Sequence, residues 1–120
     1  MKKENPALDK TYAFALKVVK LCLEIQGAKK EYVLSKQLLR SATSIGANTE
    51  EAIGAQSDKD FLHKISIAYK EARESHYWIR LMGDSDLIVN DEAENLLLDV
   101  EELLRILGSI QKTLKQKMNN

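Results

Sequence analysis

The 120-residue sequence has few of the residues that build β-sheet proteins, disulfide-rich domains or membrane proteins. It contains one proline, five glycines and 6% aromatic residues, whereas a β-sandwich of this length would need many more turn residues. Its only cysteine, Cys22, excludes a disulfide framework within the chain and suits a reducing compartment. No run reaches ~18 consecutive apolar residues, and the N-terminus lacks a signal-peptide core. We therefore predict a helical protein of the cytoplasm with no membrane partner.

Motifs for catalysis are equally scarce. Only two histidines are present, and Asp60-x-x-His63 is the one spacing comparable to the Glu-x-x-His pairs of di-iron bundles. The sequence contains no glycine-rich phosphate loop and no nucleophile motif. His76 is predicted to be structural, and Cys22 to be a small buried hydrophobic residue. The sequence thus predicts a non-enzymatic protein with no catalytic residue, no metal site and no cofactor.

Hydrophobic periodicity and capping residues divide the chain into four helices of one domain, residues 1–120. The predicted helices span residues 6–27, 36–53, 58–83 and 91–117. Gly27 and Gly54 are predicted to end the first two helices. The N-terminal caps are predicted at Asn5, Ser35, Ser57 and either Asn90 or Asp91. Because the connections are short, consecutive helices should be antiparallel neighbours, so we predict an all-α, antiparallel up-down-up-down four-helix bundle.

Each of the last three helices has an apolar stripe suited to a common core, at about 100° of rotation per residue. The stripe of the second helix is Leu38, Ala42, Ile45, Thr49, Ala52 and Ile53. That of the third helix is Phe61, Ile65, Ala68, Ala72 and Ile79. That of the fourth helix is Ala93, Leu97, Val100, Leu104, Leu107 and Leu114. These stripes are sufficient for a four-helix core.

The first and third helices carry more apolar surface than one bundle needs. The first is apolar over more than half of its circumference, and the third has a second apolar stripe away from the core. Uncovered patches of this extent usually mark interfaces, so we predict a homo-oligomer. The alternative is a slightly irregular monomer with long side chains folded over it. The predicted oligomer interface is Phe14, Val18, Leu21, Ile25, Ile67, Trp78 and Leu81.

The second helix has small and polar residues where a bundle helix usually carries leucine and isoleucine. Gly46 costs roughly 1 kcal/mol relative to alanine in a helix, which indicates close approach to a neighbouring helix or a kink. Partly buried polar groups need partners, so we predict a hydrogen-bonded polar seam between helices or between subunits that fixes their register. A solvated helix face is the alternative. The seam consists of Arg40, Ser41, Ser44, Asn48, Glu51, Glu71 and Glu74.

Charges separate toward the two ends of the predicted bundle, although Lys+Arg and Asp+Glu both number 18. Lysines gather at one end, and repeated around an oligomer they would form a basic face able to contact phosphates. The alternative is ordinary complementation of helix dipoles, and the zero net charge argues against a dedicated nucleic-acid binder. The lysines at this end are Lys2, Lys3, Lys10, Lys59, Lys64, Lys112, Lys115 and Lys117.

The segment Gln37–Gly54 and the segment Ser57–Leu81 resemble the four-helix bundle proteins encoded in 23S ribosomal RNA intervening sequences. The resemblance rests on Gln37-Leu38, Arg40, Ser44-Ile45, Asn48, Glu51, Ser57, Phe61, Ser66, Ala68 and Tyr77-Trp78. Gly46 departs from it, because many members carry proline there, as do Thr49, Glu50 and Ala52. The resemblance implies a bundle that often forms a ring-shaped pentamer. Relatives include accessory proteins of diversity-generating retroelements, which associate with a reverse transcriptase and nucleic acid.

Two functions follow as expectations. The first is a non-enzymatic, cytoplasmic homo-oligomer, pentameric by resemblance, that serves as a scaffold for RNA or for a reverse transcriptase-like protein. The second is a protein–protein adaptor with no role in nucleic-acid binding. The resemblance supplies no catalytic residue that could be transferred to this chain.

Overall fold

A computed structural model describes residues 5–120, which form four helices and no strand. The helices are α1 (Pro6–Lys29), α2 (Val33–Ile53), α3 (Asp58–Asp84) and α4 (Asn90–Asn119). Each helix packs against the next in the chain, and α1 also packs against α4, whereas α1 and α3 are not in contact. The all-α class and the four helices are therefore as predicted. None of the helices in this part of the chain has the length and apolar character needed to cross a bilayer.

Two of the predicted N-terminal caps are confirmed. The Asn5 side chain accepts a hydrogen bond from the backbone N–H of Leu8 (3.2 Å), and Pro6 follows at the first helical position, where its missing N–H costs nothing. The Ser57 hydroxyl accepts from the N–H of Asp60 (3.0 Å). In α4 the prediction was wrong, since Val89 precedes the helix and provides no side-chain cap.

The α1–α2 connection is shorter than predicted. Helix α1 continues past Gly27 to Lys29 and ends at Lys30, which adopts the left-handed conformation (φ 56°). Helix α2 begins at Val33, so Ser35 lies inside the helix and is not its cap. Instead, the Glu31 carboxylate accepts hydrogen bonds from the N–H groups of Val33, Leu34 and Ser35, each 2.9 Å long. Partial burial opposes ionisation of Glu31, but these hydrogen bonds outweigh it and lower the pKa of the carboxyl.

Contacts between neighbouring helices join residues in opposite sequence order. Thr11 lies beside Gly46 and Cys22 beside Ser35, so α1 and α2 follow this rule. The same order is found for α2 with α3, α3 with α4, and α1 with α4. The pairs are Arg40–Glu71 and Glu51–Lys64, His76–Glu101 and Ser66–Gln111, and Lys10–Glu102 and Lys17–Asp99.

The core contains most of the residues predicted from periodicity. In α2 and α3 the buried members are Leu38, Ala42, Ile45, Thr49, Ala52, Ile65, Ala68, Ala72 and Ile79. In α4 they are Ala93, Leu96, Val100, Leu103 and Leu107. Ile53 is exposed, contrary to the prediction, because α2 ends there and its last turn extends beyond the packed surface. Gly46 meets the backbone of α1, since a Cβ atom added to it would lie 3.5 Å from the Thr11 carbonyl oxygen.

Cys22 is fully buried, as predicted, and its thiol donates a hydrogen bond to the carbonyl oxygen of Ser35 (3.4 Å). Burial raises the pKa of this thiol to about 11, and the negative charge of Glu31 raises it further. Because the thiolate is the reactive form, we expect Cys22 to resist maleimide at neutral pH while the protein is folded and to react once urea unfolds it. Rapid labelling of the folded protein, followed by mass spectrometry, would contradict this expectation.

Candidate interaction surfaces

The predicted polar seam lies along the groove between α2 and α3. The Arg40 guanidinium contacts the Glu71 carboxylate (3.0 Å) and also the carboxylate of Glu74, one turn further along α3. Deeper in the same groove, the hydroxyls of Ser41 and Ser75 are 2.8 Å apart, and both side chains are fully buried. The structure therefore brings these residues together within one chain, with the charged groups outside and the hydroxyl pair beneath them.

The other seam residues make shorter-range contacts. The Asn48 side chain donates to the carbonyl oxygen and to the hydroxyl of Ser44, one turn earlier in α2 (2.9 and 3.0 Å). Glu51 pairs with Lys64 of α3 (3.3 Å). Sequence reasoning missed Ser75, although a serine between Ala72 and Ile79 in the core stripe of α3 was a visible signal. Lys64 was assigned to phosphate binding and here pairs with the seam.

The buried serine pair provides a test of the seam. We expect Ser41→Ala and Ser75→Ala each to lower the free energy of unfolding by about 0.5–1.5 kcal/mol, because each leaves the other hydroxyl without its partner. The double variant should lose less than the sum, since it removes both polar groups. Urea denaturation of the four proteins measures this coupling, with the exposed Ser109→Ala as a control. Additive losses would show that the hydroxyls do not act as a pair.

Four residues of the predicted oligomer interface lie in the core instead. Phe14, Val18, Leu21 and Ile25 are buried in the bundle and have no surface left for another chain. The prediction was wrong for these residues because Lys10 and Lys17 face α4, which turns this side of α1 inward. The apolar surplus of α1 is nevertheless present on its outer side.

That outer side carries an exposed α1 stripe, defined as Tyr12, Leu16, Val19 and Leu23. Tyr12 is 68% exposed, Leu16 45% and Leu23 62%, whereas Val19 is half-buried. Their spacing of four, three and four residues places them on one helix face. Sequence reasoning noted these residues as apolar but did not place them at the interface. The apolar residues that face outward from α1 are therefore different from those predicted.

The three α3 residues of the predicted interface form a second outward stripe, the α3 stripe of Ile67, Trp78 and Leu81. Leu81 is 38% exposed, and the other two are half-buried. The Trp78 indole N–H is screened from solvent and has no hydrogen-bond acceptor among residues 5–120. Tyr77 packs edge-on against Trp78 with ring centroids 5.1 Å apart, which adds apolar surface beside the stripe.

Half of the described lysines at the predicted basic end are paired with carboxylates. Lys10 contacts Glu102 (2.8 Å) and its hydrogen bond lowers the pKa of that carboxyl, while Lys117 contacts Asp58 (3.2 Å). Lys64 pairs with Glu51, as described above. Lys59, Lys112 and Lys115 are exposed and have no acidic partner within salt-bridge distance among residues 5–120. Lys2 and Lys3 lie outside the described residues.

The clefts of the bundle are shallow and mostly lined by ion-paired groups. The cleft between α1 and α4 has a volume of about 320 Å³, and Lys17 at its rim pairs with Asp99 (2.7 Å). His76 is half-buried and lies 3.1 Å from the Glu101 carboxylate, a contact that joins α3 to α4. Within residues 5–120, histidine, cysteine and carboxylate side chains do not gather into a group of three that could hold a metal ion.

The sequence matches the family described as 23S rRNA-intervening sequence protein over residues 3–109. A similar solved structure is that of a protein of unknown function, from the S23 ribosomal protein family, in Bacteroides thetaiotaomicron VPI-5482. It is 43% identical, with a TM-score of 0.86 over 88% of this chain and 98% of that protein. No curated protein matches the sequence. The chain therefore belongs to the 23S rRNA-intervening sequence protein family, as the resemblance of its second and third helices predicted.

Proposed function

We propose that this chain is one subunit of a non-enzymatic, cytoplasmic homo-oligomer, a ring-shaped pentamer, that serves as a scaffold for RNA or for a reverse transcriptase-like protein. The observation that carries this proposal is the exposed α1 stripe. Leucine and tyrosine side chains aligned on one face of a long helix, outside a core that is already complete, favour burial against another protein surface.

The architecture we propose for the subunit is the antiparallel up-down-up-down bundle. The opposite sequence order of contacts between neighbouring helices supports it, as do connections of only a few residues. In this arrangement, the start of α1, the start of α3 and the end of α4 share one end of the bundle. The Lys117–Asp58 contact supports that placement.

The absence of enzymatic activity is part of the proposal. The titratable groups best placed for catalysis have structural partners: His76 pairs with Glu101, and the Cys22 thiol donates to a backbone carbonyl oxygen within the core. A general base or nucleophile must instead reach a substrate.

Light scattering on the purified protein tests the assembly. We expect a molar mass at micromolar concentration that is a multiple of the 13.6 kDa of the chain, and about five times that value for the pentamer. A monomer that persists as the concentration is raised would refute the scaffold proposal. Another multiple would support assembly and reject the pentamer.

RNA binding is tested by its dependence on salt. Lys59, Lys112 and Lys115 are the lysines of the basic end that we propose for phosphate contacts. A single-stranded RNA oligonucleotide should bind more weakly as salt rises, with a slope of log K against log [salt] of about −0.7 for each phosphate contact. Lys112→Gln with Lys115→Gln should flatten that slope, whereas Lys20→Gln, on α1, should not.

The adaptor without nucleic acid is the second candidate, and the pairing of Lys10, Lys64 and Lys117 with carboxylates favours it. Paired lysines release fewer counterions on binding RNA. No RNA binding at ~50 mM salt, or a flat salt response, would reject the phosphate contacts and leave the adaptor.

A further inference from the structure

The α1 stripe and the α3 stripe lie on two helices that do not contact each other. A two-fold interface through α1 would cover one stripe and leave the other exposed, whereas a head-to-tail contact covers both with a single interface. We propose that the α1 stripe of one copy docks on the α3 stripe of the next. This inference rests on the proposed homo-oligomeric function and specifies which surfaces join its subunits.

The side of the bundle that carries the α1 stripe is built differently from the other three sides. Ion pairs span the α2–α3, α3–α4 and α1–α4 grooves. Within residues 5–120, the α1–α2 groove contains no such pair, and the half-buried Leu39 of α2 packs against the core there. A surface without ion pairs loses little electrostatic energy when another chain displaces its water.

Charges on this side argue for a second copy of the chain as the occupant. Asp9 and Glu50 are exposed near the end of the bundle where α1 begins, and Lys20 and Lys36 are exposed toward the other end. None of these four has an oppositely charged partner within salt-bridge distance in the described part of the chain. The surface is therefore acidic in one half and basic in the other.

Helix α3 has the opposite order of charges. Lys59 and Lys70 are exposed in its first half, and Glu74 and Asp84 lie in its second half. Copies in a ring point the same way along the ring axis, so the basic half of α3 would meet the acidic half of the α1–α2 side in the next copy. Complementary potentials of this kind fix the register of an interface.

The two stripes both lean toward α2, which gives the assembly a curvature. Val19 shares a helix face with Cys22 and Gln26, which contact Ser35 of α2. Glu71 and Glu74, interleaved with the α3 stripe, reach Arg40 of α2. The two contact surfaces are therefore not diametrically opposed, and successive copies turn toward α2. The ring closes with α2 on its inner surface.

Complementary variants test this arrangement by sedimentation velocity. The first carries Leu16→Asp and Leu23→Asp, and the second carries Leu81→Asp. We expect each alone to be monomeric at a concentration where the unmodified chain assembles. An equimolar mixture should form a species of twice the chain mass and nothing larger, because one intact α1 stripe then meets one intact α3 stripe. Leu98→Asp, at an exposed leucine of α4 outside both surfaces, should keep the full assembly.

Each other outcome has a defined meaning. Assembly of the unmodified chain that neither variant disrupts would overturn the head-to-tail contact while leaving the proposed function intact. Dimers of the Leu81→Asp variant with monomers of the α1 variant would indicate a two-fold contact through α1 and would also overturn it. A monomeric unmodified chain would refute the proposed function itself. Circular dichroism checks folding, and Tyr12→Lys and Leu81→Gln replace any variant that unfolds.

Discussion

Leu38→Ala should lower the free energy of unfolding by about 2–5 kcal/mol, the largest loss we expect from a single truncation. Leu38 is fully buried at the centre of α2, where it belongs to the core shared by all four helices. Removing its three carbon atoms forfeits their transfer free energy and leaves a cavity that rigid helices cannot fill. The loss is a large fraction of the 5–15 kcal/mol typical of a domain.

Urea denaturation at one fixed protein concentration measures this loss, since assembly adds a concentration-dependent term to stability. Leu98→Ala is the matched control, because the same side chain is removed from a position that is 66% exposed. It should change the free energy of unfolding by less than about 0.5 kcal/mol. Equal losses for the two variants would contradict the assignment of the core.

Gly83→Ala and Gly46→Ala should have opposite effects. A Cβ atom added to Gly83 would lie 2.9 Å from the Cβ of Ala93, so α3 and α4 would have to move apart. Overpacking of this kind costs about 1–3 kcal/mol. At Gly46 the nearest atom would be the Thr11 carbonyl oxygen at 3.5 Å, an ordinary contact. There alanine should add about 0.5–1 kcal/mol, because glycine is the poorer helix former.

Thermal unfolding of the two variants beside the unmodified chain distinguishes these cases. A midpoint that falls for Gly83→Ala and rises for Gly46→Ala is the expected result. A fall at Gly46 as large as that at Gly83 would mean that the α1–α2 approach is tighter than the Thr11 distance indicates.

Much of the fold was predictable because the deciding signals are local or periodic. Asn5-Pro6 and Ser57 set the start of α1 and α3 through bonds to the first turn of the same helix. The core of α2 and α3 follows from a single apolar stripe on each helix. In contrast, α2 begins early because the Glu31 carboxylate lies outside the helix and accepts from three of its N–H groups. A search for serine, threonine, asparagine or aspartate caps selects Ser35 instead.

The orientation of α1 was not predictable from periodicity. Apolar residues cover more than half of its circumference, so both Phe14 and Leu16 were acceptable as core residues. The choice depends on tertiary contacts, since Lys10 and Lys17 reach acidic residues of α4 and turn Phe14 inward. The seam was partly visible in the sequence, because Arg40 stood opposite a glutamate-rich helix. Its buried partner Ser75 required the register of α2 on α3.

The head-to-tail contact is tested most directly by chemical cross-linking of single-cysteine variants with a short bismaleimide. Cys22 should not react in the folded protein, so Leu23→Cys and Leu81→Cys provide the reactive thiols. Mixing these two variants should yield a cross-linked dimer, and a chain with both substitutions should yield a ladder that ends at the number of subunits. Neither single variant alone should cross-link. Cross-linking of Leu16→Cys to itself, with none between Leu23→Cys and Leu81→Cys, would contradict the account.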